Sequence, residues 1–173
     1  KEALNRPKNI NEILEEQIDT AMREHDRSKI HLFFSSISAG LDIGFSVFLM
    51  ATIYSLFHGL IHASYLHLML AFAYPLGFIF VIIGKSELFT EHTTLAVIPV
   101  LNRNATLKSL LKLWGIVYSG NLIGGFLFGY IMSLIPGRMG ILDSSSFEYL
   151  AVILTDHPWE IILGSGLLAG WLM

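Results

Sequence analysis

Residues Leu66–Leu101 read LHLMLAFAYPLGFIFVIIG, KSELFTEHTT and LAVIPVL, a long apolar run, a polar interruption and a short apolar run. A helix needs about 20 apolar residues to cross about 30 Å of hydrocarbon, so this stretch is too long for one ordinary span. Lys85, Glu87 and Glu91 would each cost about 2.5–3.5 kcal/mol at the centre of a lipid-facing helix. The stretch therefore predicts a second membrane helix that is broken at Lys85–Thr94.

The break can lie at membrane depth or outside the membrane. In the second case residues 85–94 form an outer loop, residues 95–101 form an interfacial turn, and the basic segment 102–112 lies on the outer side. Basic loops favour the cytoplasmic side, so the charges favour a segment that re-enters the membrane. Irregular backbone at that depth must be buried in protein or line a water-filled cavity, where its free polar groups can bind small ions.

The composition places the chain among helical membrane proteins. Of its 173 residues, 53% are hydrophobic and only 14% are charged, against about a quarter charged in average soluble domains. The net charge of -3 argues against disorder and against nucleic-acid binding. The absence of cysteine excludes a disulfide framework, a thiolate metal site and a cysteine nucleophile within the chain. We expect an all-α, polytopic membrane protein.

Two domains are predicted. Residues 1–31 form a cytoplasmic segment with an amphipathic helix from Asn9, which makes a capping pair with Glu12. That helix packs on its own bundle or lies at the membrane surface, and a pore-capping role is the alternative. Residues 32–173 form the transmembrane domain, with spans at about 32–57, 66–84 plus 95–101, 113–135 and 161–173. The last span is too short, so we expect it to be incomplete, with further spans after it.

The basic residues predict the orientation. Nine of the eleven lie in the N-terminal segment or in the loop after the second span: Lys1, Arg6, Lys8, Arg23, Arg27, Lys29, Arg103, Lys108 and Lys112. The other two loops carry almost none, so the N-terminus is expected in the cytoplasm of a cell (inner) membrane, with the chain crossing several times.

Several motifs in this order resemble the formate/nitrite transporter family. They are Glu87-Leu88-Phe89-Thr90, the basic loop that follows, and Tyr118 with Gly120-Asn121-Leu122-Ile123-Gly124 in the third span. Ser38-Ala39-Gly40 in the first span and Gly166-Leu167-Leu168-Ala169 near the end also fit. The resemblance covers about residues 30–173.

The resemblance implies an aquaporin-like channel fold of two inverted repeats with a broken second helix, assembled as a homopentamer in the lipid bilayer. It implies passage of small monovalent anions such as formate, nitrite or hydrosulfide, often with protons. It places Leu88, Phe89 and Thr90 in a pore loop, with Phe89 as an apolar constriction and Thr90 as a hydroxyl donor. Tyr74 and Phe78 match other constriction positions.

The chain departs from the family pattern at charged positions. Glu91-His92 stand where small or amide residues are common, and both are candidate pathway residues. Lys85 replaces a small residue and Asp42 replaces an apolar one. An acid within a span usually finds a partner in the bundle interior, so we expect an Asp42–Lys85 pair. The alternative is a proton or ion relay that also includes Glu87, Glu91 and His92.

The sequence was also searched for metal-binding and catalytic residues. His58, His62 and His67 have a spacing that can bind a metal on a helix, but histidines at a span end are more often interfacial, and no metal or other cofactor is expected. No nucleophile–base pair or phosphate-binding glycine loop predicts an enzyme. Two hypotheses remain: a channel or proton-coupled transporter for small anions, and a non-conducting structural or regulatory membrane protein that keeps the fold.

Overall fold

A computed structural model describes residues 8–138, 140 and 142–172 of the chain. All regular structure in these residues is helical, which confirms the all-α prediction. The eight helices are α1 (Ile10–Asp26), α2 (Lys29–Phe57), α3 (Ala63–Ala73), α4 (Leu76–Gly84), α5 (Phe89–Leu101), α6 (Leu107–Arg138), α7 (Ser144–Thr155) and α8 (Trp159–Leu172).

Three helical segments are long and apolar enough to cross a membrane. They are Lys29–Phe57, Ala63–Gly84 and Leu107–Leu134. The last begins six residues before the predicted start of the third span, because the basic loop residues Lys108 and Lys112 are already helical. The same helix also runs on to Arg138, three residues past the predicted end of the span at residue 135.

The centre of the fold is the packing of α2 on α6. A side chain at Gly40 would overlap the carbonyl oxygen of Asn121, and a side chain at Gly124 would overlap the carbonyl oxygen of Ile37. The two helices therefore touch backbone to backbone, as small residues allow in membrane proteins. This close approach brings the side chains of both helices to the break that follows α4.

The second membrane segment is interrupted twice, and the first interruption is at Tyr74-Pro75. Proline lacks the backbone N–H that would continue the helix. Ser46 on α2 repairs the gap, because its hydroxyl donates to the carbonyl of Tyr74 at 2.6 Å and accepts from the N–H of Gly77 at 2.7 Å. Packing there is close, since a methyl group at Gly77 would lie 2.7 Å from the backbone oxygen of Asp42. The kink is thus fixed by the neighbouring helix.

Helix α1 ends at Asp26, five residues before the predicted boundary, and α2 begins at once. The predicted capping pair forms, since the N–H of Asn9 donates to a Glu12 carboxylate oxygen at 3.2 Å. The far end of α1 is fastened to the bundle by His25, whose ring nitrogens lie 2.8 Å from the Ser109 hydroxyl and 3.1 Å from the carbonyl of Ala96. The N-terminal helix therefore packs on α5 and α6.

The segment after α6, which lies between two predicted spans, contains a further helix. Asp143 caps α7, and its carboxylate accepts from the N–H of Ser145 at 3.4 Å. Helix α7 packs on α2 through Tyr149, whose ring stacks on Tyr54 with a centroid distance of 4.0 Å. Helix α8 covers the residues predicted for an incomplete fourth span and is exposed along almost its whole described length.

Candidate functional site: the break between α4 and α5

The second interruption of the membrane segment is shorter than predicted. Only Lys85–Leu88 lie outside helices, because Phe89–Thr94 already form the start of α5. Lys85 ends α4 in the left-handed conformation (φ 50°), and the N–H of Ser86 donates back to the carbonyl of Val81 at 3.1 Å. This is the usual way to end a helix, although glycine is the residue that fits it best. Leu88 is extended, and α5 begins after it.

The backbone of the break is hydrogen-bonded by side chains from α2 and α6. The Ser35 hydroxyl accepts from the N–H of Glu87 at 3.2 Å. The Asn121 side chain donates to the carbonyl of Glu87 at 2.8 Å and accepts from the N–H of Phe89 at 2.8 Å. Its nitrogen also donates to the carbonyl of Ser36 at 2.8 Å. Polar backbone groups that are buried in protein need such partners, so these residues make the break possible.

The Glu87 carboxylate forms an ion pair with Arg27, in the two-residue link between α1 and α2. The Glu87 side chain is 5% exposed and that of Arg27 is 35% exposed. An unpaired carboxylate with so little exposure would be strongly destabilising, whereas a paired one is tolerated. The pair therefore fastens the N-terminal segment directly to the break.

Asp42, the acid inside the first span, does not pair with Lys85 among the described contacts. Its carboxylate accepts a hydrogen bond from the hydroxyl of Ser86 at 3.0 Å. Lys85 is exposed and adopts the left-handed turn that ends α4. Lys85 remains exposed at this helix end. The next residue, Ser86, is the one that is buried and contacts α2. The described contacts thus join Asp42 to Ser86, and an Asp42–Lys85 ion pair stays a prediction.

A narrow apolar crevice runs along one side of the break. It has a volume of about 170 Å³ and is lined by Phe78, Ile82, Leu88, Thr90 and Glu91. Four of these were expected in the pathway from the sequence. The structure thus brings four of the seven predicted pathway residues around one space. They are Phe78, Leu88, Thr90 and Glu91.

Two other predicted pathway residues face elsewhere. Phe89 packs edge-on against Trp114 and Tyr118 of α6, with centroid distances of 6.0 and 5.4 Å, instead of lining the crevice. Tyr74 touches the ring of Phe78, with a centroid distance of 5.6 Å, but lines a separate crevice beside α7. Leu88 is therefore the apolar residue of the break itself that borders the crevice.

A second, more polar cavity of about 430 Å³ adjoins the break. Arg27, Lys85, Ser86, Glu87 and Glu91 supply its polar lining, and Val81 and Ile82 supply its apolar side. His92 follows Glu91 on α5, but its side chain lies outside the described residues. No group of three or more histidine, cysteine, aspartate or glutamate side chains suited to hold a metal ion occurs within the part of the chain that the structure describes.

A sequence model described as formate/nitrite transporter matches residues 11–173. The chain belongs to the formate/nitrite transporter family. Together with the three long apolar helices, this makes it a transmembrane protein of that family, as the motifs around the break predicted.

Individual relatives agree with this assignment. The chain is 28% identical over 153 residues to the inner membrane protein YfdC of Escherichia coli, covering 87% of this chain and 48% of that protein. It is 26% identical over 150 residues to the uncharacterized transporter YwcJ of Bacillus subtilis (84% and 57%). It is 28% identical over 142 residues to the nitrite transporter NirC of Salmonella typhimurium (80% and 50%). The chain spans about half the length of these relatives.

The residues that hold the break were the ones sequence reasoning missed. Arg27, Ser35 and Ser86 were not recognised as partners of the break, and Asn121 was noted only as part of a motif. Asn121 does carry a usable signal, because an amide inside an apolar span is expected to find a partner on another helix. Arg27 carries none, since it lies in a run of charged residues.

Proposed function

We propose that this chain forms one part of a channel or proton-coupled transporter for small monovalent anions such as formate or nitrite. The observation that carries the proposal is the four-residue break, which Asn121 holds from α6 and which borders an apolar crevice. A helix broken in this way supports passage of a small solute, because it lines a pathway without leaving its own backbone groups unpaired.

The crevice favours a solute that can shed its charge. Phe78, Ile82 and Leu88 offer no hydrogen bonds, and a bare anion in such surroundings loses its hydration without replacement. Thr90 adds one hydroxyl at the edge of the crevice. A weak acid can cross the apolar part in its protonated form, which is why proton coupling belongs to the proposal.

The surroundings of the pathway are proposed on sequence grounds. The distribution of basic residues supports a cytoplasmic N-terminus in the cell (inner) membrane. The resemblance to the family supports a homopentamer and an aquaporin-like arrangement of inverted repeats. Cross-linking of the purified protein followed by mass measurement tests the homopentamer, and a species of five copies is expected.

The function is tested by flux into liposomes that contain the purified full-length protein. Gradients of formate, nitrite, hydrosulfide and acetate are applied at about pH 5 and about pH 7, because the protonated fraction of a carboxylic acid such as formic acid falls about a hundredfold between them. We expect passage of at least one small anion and loss of passage when Thr90→Trp fills the exposed edge of the crevice. The matched control is Leu60→Trp, in the exposed turn between α2 and α3.

The alternative is a non-conducting structural or regulatory protein that keeps the fold. The charged residues Lys85 and Glu91 beside the break favour it, because charges can block an apolar pathway. Intact assemblies with no flux for any of the four solutes would support this alternative and contradict the transport proposal for them.

A further inference from the structure

Glu91 is the polar residue that the two spaces beside the break have in common. It lines the apolar crevice with Phe78, Leu88 and Thr90, and it lines the polar cavity with Lys85 and others. The residue lies in the first turn of α5 and is exposed. A solute that moved between the cavity and the crevice would therefore come close to Glu91.

The polar cavity contains two basic residues, Arg27 and Lys85, and one of them is already paired with another acid. Arg27 forms its ion pair with Glu87, so these two charges largely cancel. Lys85 is exposed on the same cavity and forms no ion pair among the described contacts. The cavity thus presents Lys85 and Glu91 as a cation and an anion that both face the solute.

The helices that pack on α5 do not add further charges to this place. They are α1 and α6, and their described ionisable side chains are Glu12, Glu15, Glu16, Asp19, Arg23, His25, Lys108, Lys112, Tyr118 and Tyr130. None of these described side chains lines the cavity, and His25 is occupied by Ser109 and Ala96. Helix α4 contributes no ionisable side chain between Leu76 and Gly84.

We propose that Glu91 is a specificity-determining residue that disfavours the anionic form of a weak acid at the entrance to the apolar crevice. Its negative charge repels an anion there but leaves the uncharged, protonated acid unaffected. Lys85 acts in the opposite sense, by attracting anions into the polar cavity. The inference rests on the proposed transport of small anions and names the group that chooses between their two protonation states.

The test compares formate flux at about pH 5 and about pH 7 in liposomes that contain the full-length protein, its Glu91→Gln variant or its Lys85→Gln variant. Formate is almost wholly anionic at both pH values, but its protonated fraction is about a hundredfold larger at the lower pH. Glu91→Gln should raise flux at the higher pH by about two- to fivefold, the scale of one solvent-exposed charge. The change should be smaller at the lower pH, where the protonated acid carries a larger share of the flux. Lys85→Gln should lower the flux at the higher pH. Both effects should shrink in high salt, because exposed charges are screened.

The matched control is Glu148→Gln, which removes an exposed carboxylate on α7, away from the break. It should leave the ratio of the two fluxes unchanged. An unchanged ratio in Glu91→Gln, or a flux that falls or rises equally at both pH values, would overturn the inference while leaving the transport proposal intact. A wild-type protein that passes no formate at either pH would overturn both.

Discussion

The side-chain nitrogen of Asn121 donates to the backbone carbonyl of Glu87 at 2.8 Å, so a residue of α6 holds the break between α4 and α5 from outside. The oxygen of the same amide accepts from the N–H of Phe89, on the other side of Leu88. One side chain therefore satisfies a donor and an acceptor that the break leaves without helical partners. One of its polar atoms donates and the other accepts, which an ionised carboxylate of the same size cannot reproduce because it only accepts.

Replacement of Asn121 by Asp should loosen the break. The change keeps the size of the side chain but removes the N–H groups that reach the carbonyls of Glu87 and Ser36. Each buried carbonyl left without a donor costs about 1–3 kcal/mol. We expect a clear loss of thermal stability in detergent and loss of flux.

Asn104→Asp is the control for this change, because Asn104 lies in the exposed turn between α5 and α6. Its midpoint of thermal unfolding should stay close to that of the wild type. Equal stability of the two variants would contradict the role assigned to Asn121.

Because Arg27 and Glu87 form an ion pair, the stability losses caused by replacing each of them should not be additive. Removing one partner leaves a poorly solvated charge, and since Arg27 is about one-third exposed we expect a loss of about 1–3 kcal/mol for Glu87→Gln or Arg27→Met. The double variant should lose much less than the sum of the two. A double-mutant cycle on the free energy of unfolding measures this coupling.

The exposed Lys8–Glu16 pair, with an N–O distance of 2.6 Å, supplies the comparison. Both side chains are more than half exposed, so Glu16→Gln should change stability by less than about 0.5 kcal/mol. Additive losses at Arg27 and Glu87 would show that their charges do not act on each other.

Lys85→Gly should stabilise the protein. Lys85 adopts a left-handed conformation that costs a residue with a side chain about 1–2 kcal/mol, and glycine adopts it freely. After the larger backbone entropy of glycine is subtracted, we expect a gain of up to about 1 kcal/mol in the free energy of unfolding.

Arg103→Gly, at the equivalent position after α5 (φ 62°), should show a gain of similar size. If Lys85 instead stabilises Asp42 by an ion pair, Lys85→Gly would destabilise the protein while Arg103→Gly would not. Parallel unfolding curves of the two variants decide between the cases.

Gly124→Ala should separate α2 from α6, because the added methyl group would overlap the carbonyl of Ile37. Overpacking of this kind costs about 1–3 kcal/mol, and backbone contacts resist adjustment more than side chains do. The neighbouring Gly125 has open space at the same position, so Gly125→Ala should be neutral or stabilising by up to about 1 kcal/mol. Resistance to unfolding in a denaturing detergent measures both, and an equal effect would contradict the close approach.

Much of the arrangement of helices could be predicted from the sequence. Asn9 and Glu12 predicted the start of α1, and the apolar runs predicted the three long segments, because a span depends on length and composition alone. Pro75 lay within the predicted second span without being recognised as an interruption. The helix α7 was missed because its sequence is polar at the start and too short to look like a span.

Leu88-Phe89-Thr90 show where local pattern stops being sufficient. The motif identified the break, and the structure places Leu88 and Thr90 at the crevice. It also turns Phe89 away to pack on Trp114 and Tyr118. The direction of each side chain depends on how α5 lies against α6, which no stretch of a few residues specifies.

For this protein the sequence by itself determined the class, the family and the site of the broken helix, since hydropathy, charge and motif order are properties of neighbouring residues. The tertiary structure alone decided the extent of the break and its partners. The interruption is Lys85–Leu88 and not the ten residues that were predicted. Asp42 accepts a hydrogen bond from the hydroxyl of Ser86, and Arg27 pairs with Glu87, 60 positions away in the sequence. Such pairings follow from the close packing of α2 on α6, which brings together groups that are distant along the chain.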